Sequence, residues 1–188
     1  MWSRQPGGST SAPAVLPASL QSYQTSGRPT LLVAVHPRCP CSRATVANLE
    51  RAFCAPQRRC PIVAFVYAPQ DHAAGWSDTD LVDRLATLPG LSMVVDPGGA
   101  AAAGLGMSTS GHVVLYDRDG RLAFTGGVTP SRGEEGDCLA LDALIDALAP
   151  GDKPAAAQSG AVSASVFGCP LCNDTNPPGC SPVAEGRR

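Results

Sequence analysis

Eight cysteines stand in this chain of 188 residues, at positions 39, 41, 54, 60, 138, 169, 172 and 180. Two of them flank a single proline in the run His36-Pro37-Arg38-Cys39-Pro40-Cys41-Ser42. Residues two apart in a helical turn fall within the Cα separation of about 4.4–6.8 Å that a disulfide tolerates. Cys39 and Cys41 can therefore close into a small, strained ring that is easily reduced. The attacking species in disulfide exchange is the thiolate. A cysteine at a helix N-terminus meets unpaired backbone N–H groups and the positive end of the helix dipole, which pull its pKa below about 8.5. Arg38 and Arg43 are expected to push the same way.

Other residues offer competing chemistry. Cys39, Cys41 and His112 form a ligand set suited to Cu(I), with His36 as an outside candidate. Against this, a lone histidine beside a strand is more often a hydrogen-bonded structural residue. Cys169-Pro170-Leu171-Cys172 has the spacing of a redox or metal hairpin, but a structural zinc wants four ligands. Cys54 and Cys60 flank a short loop and could form a disulfide in an oxidising compartment. For the six cysteines outside the 39/41 pair, structural pairing or inert burial is the expectation. Glu134, Glu135 and Asp137 read as a solvated acidic loop. Gly98-Gly99 and Gly104-Leu105-Gly106 lack the dinucleotide fingerprint, and no peroxidase-type Thr-x-x-Cys precedes the helix.

The elements that must position the pair are legible around it. Thr30–His36 is an apolar run of buried-strand length, halted by Pro37. From Ser42 to Phe53, the spacing of Val46, Leu49 and Phe53 marks one face of a helix. A second buried strand, Ile62–Tyr67, completes a βαβ unit with parallel strands and a right-handed crossover. Ser77, with Asp80 three residues on, predicts a helix start, with Leu81, Leu85 and Leu88 on one stripe and Pro89-Gly90 at its end. Leu91–Val95 is a short strand and Ala100–Leu105 a short helix. His112–Asp117 and Arg121–Thr125 form a hairpin about Arg118-Asp119-Gly120. Leu139–Leu148 is a terminal helix.

The predicted architecture is α/β: a central mixed sheet with a βαβ unit, a terminal β-hairpin and a C-terminal helix, the order of the thioredoxin fold. Residues 1–29 read as a loose arm, 30–149 as the domain, and 150–188 as a linker followed by a cysteine-containing tail. With 44% hydrophobic and 16% charged residues, the composition is that of a globular protein. A net charge of −2 gives no electrostatic case for nucleic acid or an anionic membrane as partner. No apolar run approaches the ~20 residues of a membrane span, and the first thirty residues lack the apolar stretch of a secretory signal. Eight cysteines are many for a reducing compartment.

In residues 36–42, in Ser110-Gly111-His112-Val113-Val114-Leu115-Tyr116-Asp117, in the glycine-rich stretch 126–137, and in Val166-Phe167-Gly168-Cys169-Pro170-Leu171, the chain resembles the RedB-type thioredoxin-like proteins. These are relatives of bacterial thiol-disulfide oxidoreductases that are usually periplasmic or membrane-anchored. The resemblance implies a thioredoxin-like fold and Cys39 and Cys41 as the redox pair. It also implies that Ser110, Gly111 and His112 face the pair, with Pro40 and Arg38 in support. It further implies protein thiols and disulfides as partners, no cofactor, and a place in the bacterial envelope. One departure stands out: the proline that faces the cysteines in typical members would fall near Gly111, and none is there. The expected activity is thiol–disulfide exchange. The competing readings are copper binding or delivery through Cys39, Cys41 and His112, and a silent redoxin acting as an interaction module.

Overall fold

The computed structural model describes residues 5–8, 10–25, 27–149 and 160–171. Six strands form one sheet in the order β3-β2-β1-β4-β5-β6. They are β1 (Thr30–Val35), β2 (Ile62–Ala68), β3 (Leu91–Pro97), β4 (His112–Tyr116), β5 (Leu122–Gly127) and β6 (Val162–Ser163). The helices are α1 (Pro40–Phe53), α2 (Asp80–Leu85), α3 (Ala100–Gly104) and α4 (Leu139–Leu148). β1, β2 and β3 run parallel, β4 is antiparallel to β1, and β5 is antiparallel to β4. This βαβ unit with a following hairpin and terminal helix is the thioredoxin-like fold.

β1 and β2 are buried along their whole length because the sheet is covered on both faces. Side chains alternate across it. Leu31, Val33 and Val35 join Ile62, Ala64 and Val66 on one face, with Val46, Leu49 and Phe53 of α1, Leu81 and Leu85 of α2, and Leu141, Leu144 and Leu148 of α4. Leu32, Ala34, Val63 and Phe65 point the other way, toward Ala102 of α3, Leu105 and Met107.

Local departures from the sequence reading have physical reasons. The cap of α2 is Thr79, whose Oγ1 accepts the Val82 N–H at 3.3 Å, and not Ser77. The hairpin turn closes because the Asp117 carboxylate accepts the N–H groups of Asp119 (2.9 Å) and Arg121 (2.8 Å), while Gly120 takes φ +76°.

Within the stretch read as a loose arm, the residues around Leu16 and Leu20 pack on the sheet. Leu16 and Leu20 are buried in the second core layer, the Leu16 N–H donates to the Gly120 carbonyl (2.8 Å), and the Tyr116 hydroxyl donates to the Pro13 carbonyl (3.0 Å). Within the stretch read as linker and tail, β6 pairs in parallel with β5, and Leu171 is buried against the same layer as Leu16. Among the described residues no helix is long and apolar enough to cross a membrane.

Candidate functional site

β1 delivers the chain to a tight turn at the C-terminal end of the parallel strands, and α1 begins directly after it. The turn is held by its own backbone. The Cys39 N–H donates to the His36 carbonyl at 3.1 Å, and the His36 N–H donates to Ser42 Oγ at 2.9 Å. Cys39 is the N-cap, with extended φ −109° and ψ 126°, and Pro40 fills the first helical position, where a missing N–H costs nothing. Cys41 lies in the first turn.

Two further segments converge on Cys39. The loop before β4 is fixed to β1 by the Gly111 N–H donating to the Ala34 carbonyl (2.7 Å), and it presents Ser110. Gly111 has φ +82°, and a Cβ there would meet Thr45 Oγ1 at 2.5 Å, so this approach to α1 requires glycine. No described peptide bond is cis. The second segment, residues 166–171, lies along the same loop. Cys169 donates its N–H to Ser110 Oγ (2.9 Å) and accepts the Ser110 N–H at its carbonyl (2.8 Å), and the Leu171 N–H donates to the Ser108 carbonyl (2.9 Å). Arg132 donates to the Gly168 carbonyl.

Cys39 Sγ consequently lies 3.3 Å from Ser110 Oγ and 3.4 Å from Cys169 Sγ. Because Ser110 Oγ already accepts the Cys169 N–H, its own proton is available to the Cys39 sulfur. The Sγ atoms of Cys39, Cys41 and Cys169 all fall within 4.8 Å of one another. Cys39 is 5% exposed and Cys41 2%. All six described cysteines are free thiols.

Electrostatics in this cluster is unequal. The Cys39 thiol is pulled far below the ordinary thiol range by hydrogen bonding from Cys169, then from Cys41, with Ser110 and the Ser42 N–H adding to it, while burial opposes. Cys41 is pushed far up, because its proton is shared with Cys169 and Cys39 and because it is buried. Cys169 is raised as well, first by its hydrogen bond to Cys39. These directions favour the negative charge on the Cys39 sulfur and the protons on Cys41 and Cys169.

The arginines do not contribute in the way expected. The Arg38 guanidinium lies 5.0 Å from the Trp76 ring centre and donates to the Trp76 carbonyl (3.0 Å), while Arg43 pairs with Asp80 of α2 at 2.7 Å. His36 stacks on Tyr67 with ring centres 5.1 Å apart, and its Nδ1 accepts the Arg38 N–H.

His112 is brought to the neighbouring strand but not into the thiol cluster. Its Nε2 lies 2.9 Å from Thr125 Oγ1 on β5, and burial lowers its pKa to about 4. The donor set Cys39, Cys41 and His112 is therefore not assembled. The group of three that could hold a soft cation among the described residues is Cys39, Cys41 and Cys169. Cys54 and Cys60 do not pair: Cys54 is exposed, and Cys60 is buried with its thiol pushed up to about 12. Glu134, Glu135 and Asp137 form no metal group among the described residues. Cys172 and Cys180 lie outside the described residues.

Sequence reasoning missed Cys169, which it assigned to structural pairing or inert burial. The available signals were the short motif Val166–Leu171 and the Cys169-Pro170-Leu171-Cys172 spacing of a redox or metal hairpin, and neither named Cys39 as a partner.

No family model matches the chain, and no curated protein matches it. Solved structures do. An uncharacterized conserved protein from Geobacillus kaustophilus is similar at 17% identity and TM-score 0.59, over 93% of this chain and 96% of that one. A hypothetical protein from Sinorhizobium meliloti is similar at 17% identity and TM-score 0.56, over 90% and 94%. A secreted Mycobacterium tuberculosis disulfide oxidoreductase homologous to E. coli DsbE aligns over 68% of this chain and 84% of that one, with 19% identity and TM-score 0.46. At these identities the first two likenesses establish the fold.

Proposed function

We propose that the protein is a thiol-disulfide oxidoreductase of the RedB type, with Cys39 as the attacking thiolate and Cys41 as the second thiol of the pair. The observation that carries this reading is the hydrogen-bonded Cys39 sulfur at the N-cap of α1, contacted by Ser110 Oγ at 3.3 Å. Nucleophilic attack needs a thiolate, and exchange needs a stabilised leaving thiolate when the reaction reverses. Cys39 supplies both. Its thiolate attacks one sulfur of a partner disulfide, forming a mixed disulfide and releasing the first partner thiolate. A second protein thiol then attacks Cys39 Sγ, closing an intramolecular disulfide and releasing the second partner thiolate. The partner gains two electrons and the protein loses two.

Ser110 and Gly111 take the place where the wider family carries its proline. Ser110 offers a hydroxyl donor to Cys39, and Gly111 allows the loop to approach α1. Because Cys39 is nearly covered, access to a bulky partner requires residues 166–171 to shift. The number of cysteines and the RedB resemblance support action on protein thiols in the bacterial envelope.

The reading is tested by adding the reduced protein to insulin with a chemical reductant and following disulfide cleavage. Wild type accelerates the reaction, and Cys39→Ser removes at least nine-tenths of the acceleration. Equal rates for the two proteins reject it.

A further inference from the structure

Cys169 is the nearest described sulfur to Cys39 that comes from outside the motif, at 3.4 Å, yet it is 130 residues away in the chain. Its position is built. Its N–H and carbonyl both bond to Ser110, and the Ser110 hydroxyl in turn meets the Cys39 sulfur, so a single residue sets both partners. Thr109 pairs with Pro170 on one side. On the other, Gly168 lies so close to the loop that a Cβ would sit 1.9 Å from the Ser110 carbonyl oxygen. Only glycine lets the segment lie this deep.

Cys41 is less well placed to bond Cys39. Closing that pair forms a small ring through Pro40, whose φ is fixed, inside the first turn of α1. Cys169 sits on a separate segment, and a disulfide of about 2.05 Å asks the two sulfurs to approach by about 1.4 Å without bending the helix.

We propose that Cys169 is a redox thiol of this site that resolves the mixed disulfide at Cys39, giving a Cys39–Cys169 disulfide. The inference rests on the reading of Cys39 as the attacking thiolate. In balance, the Cys39 thiolate displaces one thiolate from the partner disulfide. Cys169 then loses its proton to solvent, attacks Cys39 Sγ and displaces the second thiolate. The partner is reduced by two electrons, Cys39 and Cys169 are oxidised by two, and the displaced thiolates take up protons from water. A dithiol reductant reverses the sequence. Cys41 remains beside the bond as a thiol. A disulfide in this form adds a covalent tie to the hydrogen bonds that already hold residues 166–171 over the turn when the thiols are free.

The test uses the full chain, oxidised with excess glutathione disulfide, blocked with N-ethylmaleimide and cleaved with trypsin, which releases residues 39–43 as one peptide. The expected product is that peptide joined to the C-terminal peptide, with fragmentation locating the bond at Cys169. The bond persists in Cys41→Ser and disappears in Cys169→Ser. A Cys39–Cys41 bond alone, with Cys169 alkylated in wild type, overturns this inference and leaves the oxidoreductase reading standing. A cross-link that survives in Cys169→Ser also overturns it. If Cys39 is never oxidised, both fall together.

Discussion

Burial alone makes a thiol a poor nucleophile, because it disfavours the charged form. Cys39 escapes that penalty through donors that surround its sulfur: two thiols, one hydroxyl and one backbone N–H. Cys39 is therefore expected to react with iodoacetamide at a nearly constant rate from pH 6 to 8, and Ser110→Ala moves the titration midpoint upward; a pH–rate profile read by peptide mass spectrometry checks both. His112 shows the opposite consequence of burial. Its folded pKa of about 4 lies below an unfolded value of about 6.5, so the unfolded chain binds the extra proton. Its contribution to stability is present above pH 6.5 and is lost as pH falls toward 4, on the order of 3 kcal/mol. Urea denaturation across this range should show that slope, and His112→Gln should flatten it. The sequence exposed Cys39 and Cys41 through their spacing and their place after a strand. It flagged Cys169 only through the Cys169-Pro170-Leu171-Cys172 spacing and could not join it to Cys39, because a contact across 130 residues leaves no local pattern.

Among elements, α1 carries the site and is held by more than its apolar face. Asn48 is fully buried: its amide donates to the carbonyls of Val128 (2.7 Å) and Gly136 (3.1 Å), and its Oδ1 accepts the Gly136 N–H (3.1 Å). It fastens the loop after β5 to the helix. Asn48→Ala leaves these groups without partners and is expected to cost about 2–3 kcal/mol in chemical denaturation. α1 is also tied to α2 by Glu50 and Arg84, paired at 2.7 Å. The strands and helices were legible because β1, β2 and α4 are long apolar runs with one period each. β6 was not, since two residues of strand, Val162 and Ser163, lie below any periodicity. The α2 cap shifted from Ser77 to Thr79 for a similar reason: several capping residues stand close together, and only the packing of Leu81 and Leu85 selects among them.

For the molecule as a whole, both ends of the domain close over one sheet face. Leu16 and Leu20 from the N-terminal side and Leu171 from the C-terminal side share a core layer with Leu32, Val114 and Tyr116. That layer was not legible in a glycine-, serine- and proline-rich arm, where Leu16 and Leu20, although four apart, are too few to set a period. Leu16→Ala is expected to lower stability by about 2 kcal/mol in urea denaturation, far more than a residue of a loose arm would. The same closure brings Cys169 to the turn, so the C-terminal segment serves both core and site. A thiolate stabilised in the reduced state favours that state, so the proposed disulfide at Cys39 is predicted to be a better oxidant than that of thioredoxin, at about −270 mV. The most direct measurement is a metal-free titration of the full chain against glutathione redox buffers, with differential alkylation at Cys39 read by mass spectrometry. Reversible conversion of Cys39 between thiol and disulfide at a potential above that of thioredoxin is the predicted result. A Cys39 that stays alkylatable as a thiol across the whole range of buffers contradicts the account.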